Sequence, residues 1–185
     1  MPMTIYFQYY HSPCGDLVLG AAGDELFLCD WSGRPCAERN KRRLTRLAGA
    51  EFKEESSPAL ERAERELDEY FAGLRTSFDI PLHPVGTPFQ QCVWAALKEI
   101  PYGETRTYTE IARRVGNVRG VRAVAQAIGA NGLSIFIPCH RVIGADNSLT
   151  GFAGGLKAKS RLLALERTRE DSLSLGAVQD LAGKI

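Results

Sequence analysis

The chain has 185 residues, of which 44% are hydrophobic and 24% charged, a composition typical of one large or two small globular domains. Its apolar runs are far shorter than the roughly 20 residues needed to span a bilayer, and residues 1–11 lack the basic start and long apolar core of a secretory signal. The five cysteines include no Cys-x-x-Cys pair, which favours free thiols in a reducing compartment. We therefore expect a cytoplasmic protein, or a nuclear one in a eukaryote, with no membrane partner.

The net charge of +1 hides an uneven distribution. Residues 1–86 carry 10 Lys and Arg against 14 Asp and Glu, whereas residues 87–170 carry 12 against 6. A basic half beside an acidic half is typical of a protein that docks a polyanion on one side, although random surface charge also produces such splits. The pattern predicts an N-terminal domain with its linker over 1–86, a second domain over 87–170 and a tail over 171–185.

The first half alternates strand-like and helical patterns. Strands are predicted over Thr4–Tyr10, Asp16–Gly20 and Glu25–Trp31. A basic surface helix is predicted over Arg39–Ala48. Ser57 followed by Pro58 predicts the cap and first position of another helix, which ends at Gly73. The proline-rich stretch Asp79–Gly86 is predicted to be an extended linker.

The second half is predominantly helical. Pro88 opens a helix whose apolar residues recur at helical spacing, and a Pro-Tyr-Gly turn closes it. Thr107 and Glu110 form a Thr-x-x-Glu capping box for a short helix that stops at Gly116. A turn leads into a further helix that ends near Gly129. Two short helices joined by a tight turn predict a helix-turn-helix, although plain helical hairpins share the pattern.

The second helix of this pair has two different faces. An apolar stripe, which predicts the core-facing side, is formed by Val121, Val124, Ala125 and Ile128. Positive charge and small residues occupy the other side, at Arg119, Arg122, Ala123, Gln126 and Ala127. Arginine supplies affinity for phosphate, and alanine lets a helix backbone approach a groove closely. This face favours nucleic-acid contact over the alternative, an ordinary solvated helix surface.

A candidate nucleophile follows the apolar run Leu133–Ile137, which predicts a buried strand. Cys139 and His140 come directly afterwards, and a thiol beside an imidazole can form the reactive thiolate. Neighbouring strand residues point to opposite faces, so these two side chains meet only if the chain turns or a water bridges them. Glu166 lies on an apolar helix face, where a carboxylate needs a partner, and is the candidate that orients His140. The alternative is a structural cysteine beside an incidental histidine.

A longer set of motifs surrounds this pair. It includes Thr87-Pro88-Phe89-Gln90, Ile100-Pro101-Tyr102-Gly103, Pro138-Cys139-His140-Arg141-Val142, Gly151-Phe152-Ala153-Gly154-Gly155-Leu156 and Leu163-Ala164-Leu165-Glu166. Over residues 87–167 the sequence resembles the O6-alkylguanine-DNA alkyltransferases, or methylated-DNA–protein-cysteine methyltransferases. The resemblance implies a two-domain α/β protein. A small ribonuclease-H-like α/β domain would be followed by a mostly helical, DNA-binding alkyltransferase domain with a helix-turn-helix, over 87–170.

The resemblance also implies roles for the residues of the reaction centre. Cys139 takes the alkyl group from O6 of a damaged guanine, His140 acts through a water as its base, and Glu166 orients His140. Asn131 ties the helix-turn-helix to the active-site segment. Tyr108 donates a proton or hydrogen bond to the guanine ring as it leaves.

Further implied roles concern the DNA. The target atom is buried in the base stack, so the nucleotide must rotate out, and Arg122 matches the residue that fills the gap it leaves. The family docks in the minor groove, which is consistent with small residues on the recognition helix. The substrate pocket is expected at Val142, Phe152, Ala153 and Gly154. Phe152 replaces a tyrosine and Ala153 a serine found in many members.

We therefore predict a single-turnover enzyme that reverses O6-alkylguanine damage in double-stranded DNA as a monomer and without a cofactor. No metal site is predicted, because the positions where some members have a zinc-binding Cys and His hold Ala22 and Phe27. Three other classes are alternatives: a lesion sensor without transfer activity, a transcription regulator and a cysteine hydrolase. Methylation of Cys139 by damaged DNA is expected only of the first class.

Overall fold

The N-terminal half is built on a four-stranded sheet. The structure is a computed structural model that describes residues 2–168, so the predicted tail over 171–185 lies outside the described residues. The strands are β1 (Met3–Ser12), β2 (Gly15–Ala22), β3 (Glu25–Trp31) and β4 (Ala50–Glu54). Their order is β3-β2-β1-β4, and all pairs are antiparallel except β4 with β1. The three predicted strands are confirmed. The sequence pattern does not predict β4, because three of its five residues are charged.

Two helices cover the two faces of this sheet. Both α1 (Pro35–Ala48) and α2 (Pro58–Phe71) begin with proline, whose fixed φ suits the first helical position. The predicted Ser57 cap is confirmed, since its side chain accepts a hydrogen bond from the Leu60 amide at 3.3 Å. Alternate residues of β2 point to opposite sides, so Leu19 packs in the cluster with α2 and Val18 in the cluster with α1.

The C-terminal half is helical with one small strand pair. Its elements are α3 (Pro88–Lys98), β5 (Arg106–Thr107), α4 (Tyr108–Arg114), α5 (Val121–Gly129), β6 (Val142–Ile143) and a helix, α6, over 156–168. The capping box at Thr107 and Glu110 is confirmed, and the 3₁₀ turn Val118–Gly120 joins α4 to α5 in a helix-turn-helix. Within residues 2–168 no helix has both the length and the apolar character to cross a membrane.

The buried segment 133–137 joins the two halves. Leu133 forms a single bridge with Cys29 at the edge of the sheet, and Ser134 bridges Ile137. Ile135 has a φ of 73°, in the left-handed region. The prediction of a strand is wrong here, because the run is buried between the two halves and turns back on itself instead of joining a ladder. The 3₁₀ turn Cys139–Arg141 follows directly.

Candidate active site

Cys139 lies at the start of its 3₁₀ turn and is held by Asn131, the second residue after α5. The thiol is almost buried, with 7% of the residue exposed. The Asn131 amide nitrogen lies 3.2 Å from Sγ and donates to the carbonyl of Ile137 at 3.0 Å. The Asn131 side-chain oxygen accepts from the Leu133 amide at 3.0 Å. Asn131 therefore connects the end of the helix-turn-helix to the segment that carries the thiol.

The surroundings of the thiol favour its protonated form. Burial raises the pKa of Cys139 to about 11, and the charge of Asp30 adds to this effect. The hydrogen bond from Asn131 and the charge of Lys159 act in the opposite direction but do not cancel it. At neutral pH the free protein thus holds a thiol, which must lose its proton before it can act as a nucleophile.

His140, the next residue, is the candidate base for that proton. Its ring is fully buried, and Nε2 lies 2.7 Å from Oε1 of Glu166. Burial lowers the pKa of His140 although Glu166 favours the charged form, so the imidazole is neutral and its Nε2 proton faces the carboxylate. Nδ1 is buried and has no hydrogen-bond partner among residues 2–168. This nitrogen is therefore the available base.

Glu166 is the centre of a buried hydrogen-bond cluster. Oε1 accepts from Tyr70 at 2.7 Å, from His140 at 2.7 Å and from Nη2 of Arg141 at 3.0 Å. Oε2 accepts from Nε of Arg141 at 2.9 Å and from the Gly103 amide at 3.2 Å. Burial alone would raise the pKa of Glu166, but these donors outweigh it and lower the pKa to about 2. The carboxylate stays ionised and fixes the orientation of the imidazole.

Sequence reasoning missed three polar residues of this centre: Arg141, whose hydrogen bonds to Glu166 are given above, Tyr70 and Lys159. Tyr70 reaches Glu166 from α2 in the other half of the chain, and its spacing from Ala63 and Leu67 marks the buried helix face. Lys159 is buried on α6, where its ammonium group donates to the carbonyl of Thr150 at 2.8 Å. Burial lowers the pKa of Lys159 to about 8. The sequence feature that could have identified Lys159 is its spacing from Glu166, since it lies two helical turns earlier on the same face of α6.

Four of the five residues predicted to contact DNA from α5 and the 3₁₀ turn before it lie on the surface, and their contact with DNA stays a prediction. Those exposed to solvent are Arg119, Arg122, Ala123 and Gln126. The prediction for Ala127 is wrong: it is 3% exposed, and its carbonyl accepts from the Trp94 indole at 2.8 Å. Ala127 lies three residues after Val124, so the helix has turned back to its core-facing side.

A cavity of about 890 Å³ opens between α1 and α5, in the size range of small-molecule sites. The predicted residues that line it are Tyr108, Arg122, Phe152 and Ala153, together with Arg34, Cys36 and Arg39 from the N-terminal half. Tyr108 lines this cavity, and its hydroxyl donates to the carbonyl of Thr150 at 3.2 Å. Burial raises the pKa of Tyr108, so it keeps the proton it would donate.

Two predicted pocket residues do not line this cavity. Val142 is fully buried in β6, because its side chain belongs to the main hydrophobic core. Gly154 is buried against the indole of Trp31, and a Cβ at this position would overlap that ring. Gly154 therefore supports the wall formed by its neighbours Phe152 and Ala153 without facing the cavity.

Fold and site together define a class of protein. A helix-turn-helix beside a cavity large enough to admit a nucleobase, together with a buried cysteine, histidine and glutamate, is the arrangement of a protein that performs thiol chemistry on DNA. Residues 5–84 match the ribonuclease-like domain of 6-O-methylguanine DNA methyltransferase, and residues 88–168 match the DNA binding domain of the same family. The chain belongs to the 6-O-methylguanine DNA methyltransferase family.

Individual relatives agree with this assignment. The chain is 42% identical to the methylated-DNA–protein-cysteine methyltransferase of Haemophilus influenzae over 89% of its own length and 87% of the relative. It is 46% identical to the protein of the same name from Methanosarcina acetivorans, over 88% of this chain and 98% of the relative. A crystal structure of Mycobacterium tuberculosis OGT in complex with DNA superposes with a TM-score of 0.75 at 40% identity, covering 89% of this chain and 94% of that one.

Proposed function

We propose that this family member repairs O6-alkylguanine in double-stranded DNA by moving the alkyl group irreversibly to Cys139. The observation that carries the proposal is the buried pair of Glu166 and neutral His140, whose Nδ1 is unpartnered among the described residues and belongs to the residue that follows Cys139. The names of the curated relatives support the reaction, and the DNA complex of the Mycobacterium tuberculosis protein supports DNA as the partner.

Docking uses the exposed face of α5 in the minor groove. Arg119 and Arg122 supply positive charge, and Ala123 allows the helix backbone to come close to the sugar-phosphate walls. The damaged nucleotide rotates out of the stack at a cost of a few kcal/mol and enters the cavity beside Tyr108. Arg122 lines that cavity and is exposed, so it can occupy the space that the nucleotide leaves.

The transfer step begins when Nδ1 of His140 takes the proton of the Cys139 thiol through a bridging water. Glu166 stabilises the imidazolium that results, since its carboxylate is already hydrogen-bonded to Nε2. The thiolate attacks the alkyl carbon, a sulfur–carbon bond forms, and the carbon–oxygen bond to guanine O6 breaks. The electron pair stays on the guanine, whose developing charge is met by the hydroxyl of Tyr108.

The product is a thioether, which offers no leaving group that water could displace under mild conditions. Each protein copy therefore repairs one lesion. We further propose that residues 1–86 and 87–170 act together as a monomer without a cofactor, since one copy supplies every residue of the site. All five cysteines are free, which supports a reducing compartment, the cytoplasm of a bacterium or the nucleus of a eukaryote.

Mass spectrometry after incubation with methylated duplex DNA tests the proposal. We expect one added methyl group, located on Cys139, and none in the Cys139→Ala variant. The matched control is Cys92→Ala, which removes an exposed thiol on α3 and leaves the transfer unchanged. Cys139→Ala should still bind DNA, because docking depends on α5 and not on the thiol. A methyl group on another residue, or none on the wild-type protein, would contradict the assignment of Cys139.

A further inference from the structure

The helix α1 carries a concentration of positive charge that the proposed reaction does not use. The N-terminal half is acidic overall, yet α1 contains five basic residues and one acidic residue. Arg39, Arg42 and Arg46 follow one another at spacings of three and four, so they share one side of the helix. We call these three residues the α1 arginine stripe. At a rise of 1.5 Å per residue the stripe extends over about 10 Å.

The stripe is continuous with the proposed DNA site. A second cavity, of about 530 Å³, is lined by the three arginines of the stripe together with Arg43, Gln90 and Ala130. Arg39 lines this cavity and also the cavity that contains Arg122. One basic surface therefore runs from the recognition helix of the C-terminal half onto α1 of the N-terminal half.

The position of α1 relative to α5 is fixed by hydrogen bonds. Arg39 donates to the carbonyl of Gly129 at 3.0 Å, and Arg43 donates to the carbonyl of Ala130 at 2.8 Å. These carbonyl groups lie at the C-terminal end of α5, where the backbone oxygens have no hydrogen-bond partner within the helix itself. Since α1 is attached to the end of the recognition helix, a duplex docked on α5 meets the stripe at a set distance.

Charge neutralisation within the protein is incomplete at this surface. Glu38 is the one carboxylate among the residues that line the second cavity; it is 66% exposed and lies 3.8 Å from Lys41. Arg42 and Arg46 are exposed and form no ion pair with a carboxylate of residues 2–168. Burial lowers the pKa of Arg43, and the charges of Arg39 and Arg46 lower it further. A row of mutually repelling cations favours a polyanion as its partner.

We propose that the α1 arginine stripe binds the phosphate backbone of the same DNA duplex outside the base pair under repair. The inference rests on the proposed function, in which α5 docks that duplex. Phosphates repeat about every 3.4 Å along the helix axis on each strand, so a stripe of about 10 Å covers about three of them. The N-terminal half thus contributes to DNA affinity and lengthens the bound segment.

The test measures how DNA affinity depends on salt. The variants are Arg42→Ala, Arg46→Ala and the double variant, because both side chains are exposed and lie outside the reaction centre. Arg65→Ala is the matched control, since Arg65 is exposed on α2 and lines neither cavity. Dissociation constants for an undamaged duplex are measured between about 50 and 200 mM KCl, and methyl transfer from free O6-methylguanine base is measured in parallel.

Each lost phosphate contact lowers the salt slope by about 0.9. The double variant loses two contacts, so its slope should be lower by about 1.8. The ratio of the wild-type affinity to that of the double variant should therefore fall about 12-fold across that fourfold salt range. The salt slope of each single variant should fall by half as much as that of the double variant, and the slope of Arg65→Ala should equal that of wild type. All variants should react with the free base at the wild-type rate. The proposal would be overturned if the double variant had the salt slope of wild type. It would also be overturned if Arg65→Ala lowered the slope as much as the double variant does.

Failure of the proposed function gives a different result. If the wild-type protein does not methylate Cys139, the assigned reaction is wrong, whereas the salt slopes still report whether the stripe contacts DNA. A slope difference that appears only at protein concentrations at which two copies share a duplex would assign the stripe to contact between copies, and would also overturn the proposal.

Discussion

Replacing Glu166 by glutamine should destabilise the protein in a strongly pH-dependent way. Glutamine keeps the shape but removes the charge that compensates Arg141, which is buried beside it. The pKa of Glu166 falls from its ordinary 4.5 to about 2 in the folded protein, which corresponds to roughly 3 kcal/mol of stability. The cost of breaking a buried ion pair, about 3–5 kcal/mol, is of the same size.

The sign of the pH dependence follows from the direction of the shift. The folded-state pKa of Glu166 is lower than the unfolded one, so its contribution is fully present above about pH 4.5 and is lost as the pH falls toward 2. The gap in unfolding free energy between wild type and Glu166→Gln should therefore be about 3 kcal/mol at neutral pH and should narrow on acidification.

Urea unfolding at a series of pH values measures this gap. The control is Glu55→Gln, which removes a half-exposed carboxylate paired with Lys53 and should change stability by less than about 0.5 kcal/mol. Other carboxylates titrate equally in both proteins and cancel in the difference. A gap below about 1 kcal/mol at pH 7, or a gap that does not narrow in acid, would refute the role of Glu166 as the charged centre of the cluster.

Four further changes have defined outcomes. Arg122→Ala should slow transfer from duplex DNA at least about tenfold more than transfer from the free base, because only the duplex has a stack to open; equal slowing in the two rate assays would contradict this. Tyr70→Phe should lower the urea unfolding free energy by roughly 1.5–3 kcal/mol, the value of a hydrogen bond to a charged group, and an unchanged value would count against it. Methylated Cys139 should lower the melting temperature by several degrees, since overpacking a tight site costs about 1–3 kcal/mol; an equal or higher melting temperature is the contrary result. Lys159→Met should raise the pKa of Cys139 and cut the thiolate fraction roughly tenfold per pKa unit, measured as the pH profile of transfer from the free base, and a profile identical to that of wild type would exclude this influence.

Local features of the fold were predictable because short segments determine them. The capping box at Thr107 joins groups only three residues apart and forms as predicted, and the structure has a second one of the same spacing at Thr87, which was not predicted. The positions of α3, α4 and α5 follow from such signals and from apolar spacing. The turn over 133–137 was not predictable, since an apolar run is buried equally well in a strand or between two halves of a chain.

In the candidate site too, the contacts set by local sequence were predictable and those set by long-range packing were not. The sequence places Cys139 and His140 side by side and marks Glu166 as a carboxylate on an apolar helix face, whereas the family resemblance supplied Asn131. The structure brings Asn131 into contact with Cys139 and Glu166 into contact with His140. Tyr70 could not be assigned to the site, because its contact spans 96 positions and depends on how the two halves pack. Long-range contacts of this kind are absent from any local pattern.

The hydrogen bond between Tyr70 and Glu166 limits how the two halves of the molecule can be recombined. It places a side chain of α2, in the ribonuclease-like half, on the carboxylate that orients the base. A chimaera that joins the N-terminal half of one relative to the C-terminal half of another must therefore preserve this pair and the packing angle of α2. A substitution at Tyr70 in the N-terminal half therefore also perturbs the reaction centre of the C-terminal half.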